Sequence, residues 1–211
     1  MKSTLIHAAR TFFRIQEARF KVASQHSQRV AFHALMLAKE LGMSGKEQKH
    51  IYLAGLLHDI GKLGIPDSYL FKACKLTEEE WQEIKKHPVF SYEILSTIPE
   101  MKNISVIALY HHERYDGKGY PEGLRGEAIP LGARLLAVVD SFDAMTSYRF
   151  YRPQISFQMA IEELCRCAGT QFDPRIVEAF CCLWKRKDMS KSCHFESALR
   201  TFIGNGLISK R

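Results

Sequence analysis

Apolar residues recur along this chain three or four positions apart, the period of a helix, and nowhere alternate long enough to suggest a strand. Residues of about 3–20 form an amphipathic stretch carrying Leu5, Ala9, Phe12, Phe13 and Phe20. A second stretch, about 25–41, repeats the pattern at Val30, Ala34, Leu37, Ala38 and Leu41, and Gly42 ends it. Ser44 with Glu47 reads as a capping box opening a third helix through Ile51, Leu53, Ala54, Leu56 and Leu57, which runs into His58 and Asp59. Gly61 to Asp67 predicts a loop. Thr77 with Glu80 is a second capping box, and its helix is expected to stop near His87 and Pro88. Further helices are expected through Ile94 and from about Asn103 to His112. Tyr115 to Pro130 is a turn-rich loop with four glycines and two prolines. Leu131 to Met145 is helical and strongly apolar. The last helices fall at about Ser156–Ala168, stopped by Gly169, and Pro174–Lys185, opened by Asp173 as N-cap and Pro174 in the first turn. The fold class is therefore all-α with one main domain and no internal repeat.

Composition narrows the setting. Hydrophobic residues make up 46% of the 211 and are spread along the chain, enough for a real core. No run reaches the eighteen apolar residues that suggest a membrane span, and Met1 to Phe20 lacks the pattern of a secretory signal, so a cytoplasmic location is expected. The six cysteines (Cys74, Cys165, Cys167, Cys181, Cys182 and Cys193) form no CxxC pair and read as reduced thiols. A formal charge of +7 suggests an anionic partner. No Arg/Lys run with interleaved aromatics supports a nucleic acid polymer in that role.

The candidate chemistry sits where apolar helices carry polar residues. His58 and Asp59 follow Leu56 and Leu57, and a buried Asp is costly unless paired or bound to a cation. Read alone, the pair is a satisfied helix end. His111 and His112 end another apolar helix, where adjacent side chains point about 100° apart and could serve two separate ions. Asp140 interrupts the run from Leu135 to Val139 and needs a partner, either a metal or a buried arginine. His87 and His26 complete the set. Imidazoles with carboxylates and no thiolate are a ligand set for Fe, Mn or Zn in open sites. Asp59 and Asp140 are the candidate bridging carboxylates. Two ions about 3.5–4 Å apart can activate a shared water and clamp the oxygens of an in-line displacement at phosphorus.

Here a family resemblance becomes specific. Leu56 through Asp67, Leu-Leu-His-Asp-Ile-Gly-Lys-Leu-Gly-Ile-Pro-Asp, resembles the signature of HD-domain phosphohydrolases. His111 through Pro121, His-His-Glu-Arg-Tyr-Asp-Gly-Lys-Gly-Tyr-Pro, resembles the loop that gives the HD-GYP subfamily its name. Further matching blocks are His26-Ser27 with Arg29-Val30, Lys75 to Trp81, Lys86-His87-Pro88, Gly126 to Leu131, Val139 to Ser147, and Ala168 to Pro174. The resemblance covers about residues 22–185 in unbroken order.

That resemblance implies an HD-domain helical bundle with extra C-terminal helices and a GYP loop. It implies a bacterial signalling enzyme, a phosphodiesterase opening cyclic di-GMP to pGpG and in some members cutting on to GMP. Residues 22–188 would be the catalytic domain, 1–21 a packing, dimerisation or signal-input helix, and 189–211 an appendage. His26, His58, Asp59, His87, His111, His112 and Asp140 fall on metal positions. Asp59 and Lys62 would be catalytic, with Lys62 reaching the scissile phosphate, where charge builds in the transition state. Tyr120 would contact the nucleotide, and Arg149 and Arg152 would hold its phosphates. The implied cofactors are two divalent ions, Fe or Mn first, with Zn, Mg, Ni and Co as other candidates. Implied partners beyond the substrate are a second copy through the N-terminal helix and a diguanylate cyclase or other signalling protein.

Two departures stand out. Some members place a Glu four residues before the early His and hold a third metal; Val22 occupies that position here, which implies two ions. The usual Ser-Asp-Arg-Pro-Tyr run reads Ser147-Tyr148-Arg149-Phe150-Tyr151. They leave two rival readings: a cyclic dinucleotide receptor that binds without cutting, and an enzyme for another substrate, such as a hybrid cyclic dinucleotide or a nucleoside phosphate.

Overall fold

In the computed structural model, residues 2–72, 74–147 and 154–186 are described, with the side chains of 2 and 3 excepted. Arg149, Arg152, Cys193 and the expected appendage 189–211 lie outside them. Among the described residues ten α-helices follow in order: α1 Lys2–Arg19, α2 Lys21–Glu40, α3 Gly45–Leu57, α4 Asp67–Leu70, α5 Glu78–Ile84, α6 His87–Ser96, α7 Lys102–Tyr110, α8 Leu131–Thr146, α9 Phe157–Arg166 and α10 Pro174–Lys185. Short 3-10 turns occupy Ile60–Gly64, Pro99–Met101 and Gly126–Ala128. No regular strand occurs among the described residues, only an isolated bridge between Ala168 and Phe172.

Local chemistry sets several helix starts. The side chains of Ser44 and Thr77 each accept from the backbone N–H three residues on, while Glu47 and Glu80 reach back, so both capping boxes are complete. Asp173 caps α10 by accepting from the Arg175 N–H. Three expectations are corrected. Only Phe20 separates α1 from α2, which begins at Lys21 rather than near 25, with Ser24 Oγ donating to the Lys21 carbonyl. Gly61 to Asp67 is a 3-10 turn followed by the one-turn α4 rather than an open loop. His87 and Pro88 open α6 instead of closing α5; a proline in a first turn gives up an N–H that has no helical partner anyway.

The core explains which helices carry the site. From Ile51 to Leu57 every residue of α3 is buried, as expected of a helix enclosed on all sides. α2 covers one flank with Val30, Ala34, Leu37 and Ala38, and α7 another with Ile104 and Ala108. α8 contributes Leu135, Leu136, Val138, Val139 and Phe142. α1 adds Leu5, Ala9 and Phe13 to the same core, and α10 adds Ile176, Val177 and Phe180. The described cysteines Cys74, Cys165, Cys167, Cys181 and Cys182 are free thiols. No helix among the described residues is long and apolar enough to cross a membrane.

Candidate metal centre

Helix ends deliver the polar groups to one place. His58 caps the C-terminus of α3 and Asp59 opens the following 3-10 turn. His87 is the first residue of α6, and His111 caps α7. His26 and Asp140 come from the sides of α2 and α8. Their donor atoms form three overlapping groups, each within 4.8 Å: His26, His58 and Asp140; His58, Asp59 and His111; and His87, His111 and His112. Asp59 lies between them, with Oδ2 3.4 Å from His58 Nε2 and Oδ1 3.3 Å from His87 Nε2. Asp140 Oδ1 lies 3.0 Å from His26 Nε2 and 3.9 Å from His58 Nε2. Both aspartates therefore border the same His58 nitrogen. The His111 and His112 rings are 3.9 Å apart and both face His87, because α7 ends at Tyr110 and neither ring projects from helix interior.

A common device aims three of the rings. Nδ1 of His58 lies 2.9 Å from the Gly55 carbonyl, Nδ1 of His87 2.7 Å from that of Ile84, and Nδ1 of His111 2.6 Å from that of Ala108. A carbonyl oxygen only accepts, so Nδ1 carries a proton and each ring turns its Nε2 inward. Each of these three Nε2 atoms is buried without a hydrogen-bond partner. Such orphaned lone pairs are costly, and a cation would satisfy all three.

Electrostatics agrees with that fit. Burial lowers His87 to about 3 and His112 to about 4, and holds His111 well below its ordinary value, so these rings are neutral near pH 7. Burial works against the charge of Asp59, but Lys62 and His58 hold it well below the carboxylate range. Asp140 is likewise low, burial being outweighed by its hydrogen bond to His26. Neutral imidazoles beside ionised carboxylates are what a divalent metal requires of its ligands; His26 departs from that pattern, because burial is outweighed there by its hydrogen bonds to Asp140 and Asp143, which raise it to about 9, so an ion would have to replace its proton. The described residues thus contain a candidate His/Asp metal-binding cluster.

The surrounding residues fix this geometry. Ser91 Oγ on α6 donates to the His58 carbonyl at 2.6 Å and accepts from the Gly61 N–H at 2.9 Å. A Cβ on Gly61 would lie 2.0 Å from the His87 carbonyl oxygen, so only glycine lets this turn meet α6. Lys62 Nζ lies 2.6 Å from Asp59 Oδ2. Tyr120 sits beside the cluster, its ring centroid 4.9 Å from that of His112, with Lys85 Nζ 6.0 Å from the ring. The loop carrying it is folded back tightly, since a Cβ on Gly119 would lie 2.3 Å from the Arg114 nitrogen. Buried Glu113 ties the loop by accepting from the N–H groups of Glu122 at 2.8 Å and Gly123 at 3.0 Å.

The sequence-predicted residues His26, His58, Asp59, Lys62, His87, His111, His112, Tyr120 and Asp140 are thus brought together. The arginine alternative for Asp140 is not what the structure holds: Arg29 pairs with Asp143, one turn further along α8. Arg29, Asp143, Ser91, Glu113 and Lys85 were not singled out from sequence. Arg29 and Asp143 stand inside the matching blocks, and that was the only signal for them.

A family model described as HD domain matches residues 10–176. The chain is 47% identical over 154 residues to a Xanthomonas campestris pv. campestris protein named cyclic di-GMP phosphodiesterase response regulator RpfG, covering 72% of this chain and 41% of that one. It is 44% identical over 142 residues to 3'3'-cGAMP-specific phosphodiesterase 1 of Vibrio cholerae, covering 67% of this chain and 33% of that one. The chain thus spans less than half the length of these relatives. Among solved structures, Bd1817, an HDG"Y"P protein from Bdellovibrio bacteriovorus, superposes with a TM-score of 0.66 at 20% identity, over 87% of this chain and 63% of that one. The helical frame, the His58-Asp59 pair at its centre and a family match running from α1 into α10 place this chain in the HD domain family.

Proposed function

We propose that this chain is a metal-dependent phosphodiesterase of the HD-GYP type that hydrolyses cyclic di-GMP to pGpG. The observation that carries the reading is Asp59, whose two carboxylate oxygens lie 3.4 Å from His58 Nε2 and 3.3 Å from His87 Nε2, between two groups of inward-facing donors. His26, His58 and Asp140 would hold one divalent ion and His87, His111 and His112 a second, and Asp59, near both groups, would be available to either. Val22, where a third-metal carboxylate would stand, is an exposed apolar residue, which favours two ions and pGpG over complete breakdown to GMP. Fe or Mn suits this mixture of imidazole and carboxylate.

When bound, such ions lower the pKa of water and neutralise charge on the phosphoryl oxygens. The protein's own groups do the rest. Lys62, beside Asp59, supplies a positive charge where the equatorial oxygens become more negative. Tyr120 presents a half-buried ring on which a guanine can stack; burial pushes its hydroxyl up, so it stays neutral. Arg149 and Arg152, outside the described residues, are assigned to the phosphates.

A second reading has a specific observation behind it. The Vibrio cholerae relative at 44% identity is named for 3'3'-cGAMP, so a hybrid cyclic dinucleotide is the competing substrate. Anaerobically purified protein loaded with Mn(II) or Fe(II) is incubated with each nucleotide, and the products are resolved by chromatography. Linear pGpG formed with the higher kcat/KM for cyclic di-GMP, and no product from Asp59→Ala, is the expected result. Faster cleavage of 3'3'-cGAMP would establish the second substrate. Tight binding with no linear product would make the chain a receptor.

A further inference from the structure

His26 is held differently from the rings that lean on their own helices. Its Nδ1 meets the carboxylate of Asp143, Oδ2 lying 2.6 Å away. Asp143 is buried and held in turn: Arg29 donates from Nε to Oδ1 at 2.7 Å and from Nη2 to Oδ2 at 2.9 Å, and Ser147 Oγ donates to Oδ2 at 3.1 Å. With Nδ1 engaged, the His26 ring can turn only Nε2 toward Asp140 Oδ1, 3.0 Å away.

We propose that Asp143 is a positioning residue that fixes His26 as a ligand and makes the His26/His58/Asp140 group the tighter of the two cation subsites. The inference rests on the metal-binding reading given above. A carboxylate behind an imidazole orients the ring and raises its basicity toward a cation more than a neutral carbonyl does. The two groups also differ in charge. The first group contains a carboxylate of its own, Asp140, whereas the second is three imidazoles, His87, His111 and His112, with Asp59 beside them. Occupancy is therefore stepwise, the first ion entering on the α2/α8 side.

Titration of Mn(II) into metal-free protein, with free Mn(II) read by its electron paramagnetic resonance signal, tests this directly. The parent chain is expected to take up two ions in separable steps. Asp143→Asn is expected to weaken the first step by about 10–100-fold while sparing the second. In the parent, the ring 15N shifts of His26 should report a protonated Nδ1, and Asp143→Asn should alter them. Should that variant fail to fold, Arg29→Gln leaves the carboxylate but loosens it, and is expected to weaken the same step by a smaller factor. Uptake of no ion by the parent would sink the metal reading itself. Two ions in the parent with unchanged affinities and unchanged His26 shifts in Asp143→Asn would overturn the positioning role alone. Equal loss at both steps, together with a lower apo melting temperature, would reduce Asp143 to a structural residue and overturn it as well.

Discussion

Lys62 donates from Nζ to Oδ2 of Asp59 at 2.6 Å, and that same oxygen stands 3.4 Å from Nε2 of His58. If Asp59 Oδ2 served a bound ion, the Lys62 ammonium would lose that partner and be free to meet a phosphate. Lys62→Met should therefore separate two properties. Metal affinity, measured by chelator competition, should rise because a competing cation is gone. Turnover should fall by about 10²–10³, the cost of losing one preorganised charge at a developing anion. A variant in which both fall together would show that Lys62 supports the cluster rather than competing with it.

Ser91 predicts a stability effect coupled to metal loading. Ser91→Ala leaves the His58 carbonyl and the Gly61 N–H without their buried partner. The expected cost is about 1–3 kcal/mol in denaturant unfolding of the metal-free protein. Gly61→Ala should cost at least as much, because its Cβ meets the His87 backbone rather than a movable side chain. Both variants shift His58 against His87, so both should also bind metal more weakly.

Glu113 predicts the opposite pattern, a substrate effect with the metal retained. Its carboxylate ties the N–H groups of Glu122 and Gly123 to the start of the Tyr120 loop. Glu113→Ala should leave two ions per chain by elemental analysis. It should raise KM for the nucleotide by roughly tenfold, the factor that about 1.4 kcal/mol of loop ordering produces.

Acid should destabilise the metal-free chain, and His33, outside the ligand set but near Asp143 and Arg29, offers a probe. Burial lowers its folded value from 6.5 to about 4. Above pH 6.5 neither state is protonated and His33 costs nothing. Between 6.5 and 4 the unfolded chain takes a proton that the folded one refuses, so stability falls as pH falls. His33→Leu should flatten the dependence of melting temperature on pH in that window; an unchanged slope would assign the loss to other groups.

Much of this was legible in the chain because it is local. The Ser44/Glu47 and Thr77/Glu80 boxes and the Asp173 cap act within three residues, and each appears as the sequence implied. His87 was misplaced for a related reason: Pro88 breaks a helix from within yet starts one equally well, and sequence does not say which side of it the helix lies on. The site residues were identifiable by type, as ionisable groups among apolar neighbours. Their supports were not. The Arg29–Asp143 pair spans 114 positions and the Ser91–His58 bond 33, so only the packing of α2 on α8 and of α6 on the turn after α3 reveals them.

Because His58, His87 and His111 are each hinged on a carbonyl three residues back, ring spacing is set by where the helices stop. The apolar packing of α3 on α7 thus holds His58 against His111, their ring centroids 5.0 Å apart, so a methyl gained or lost in the core between these helices would be felt at the donor spacing without touching a ligand.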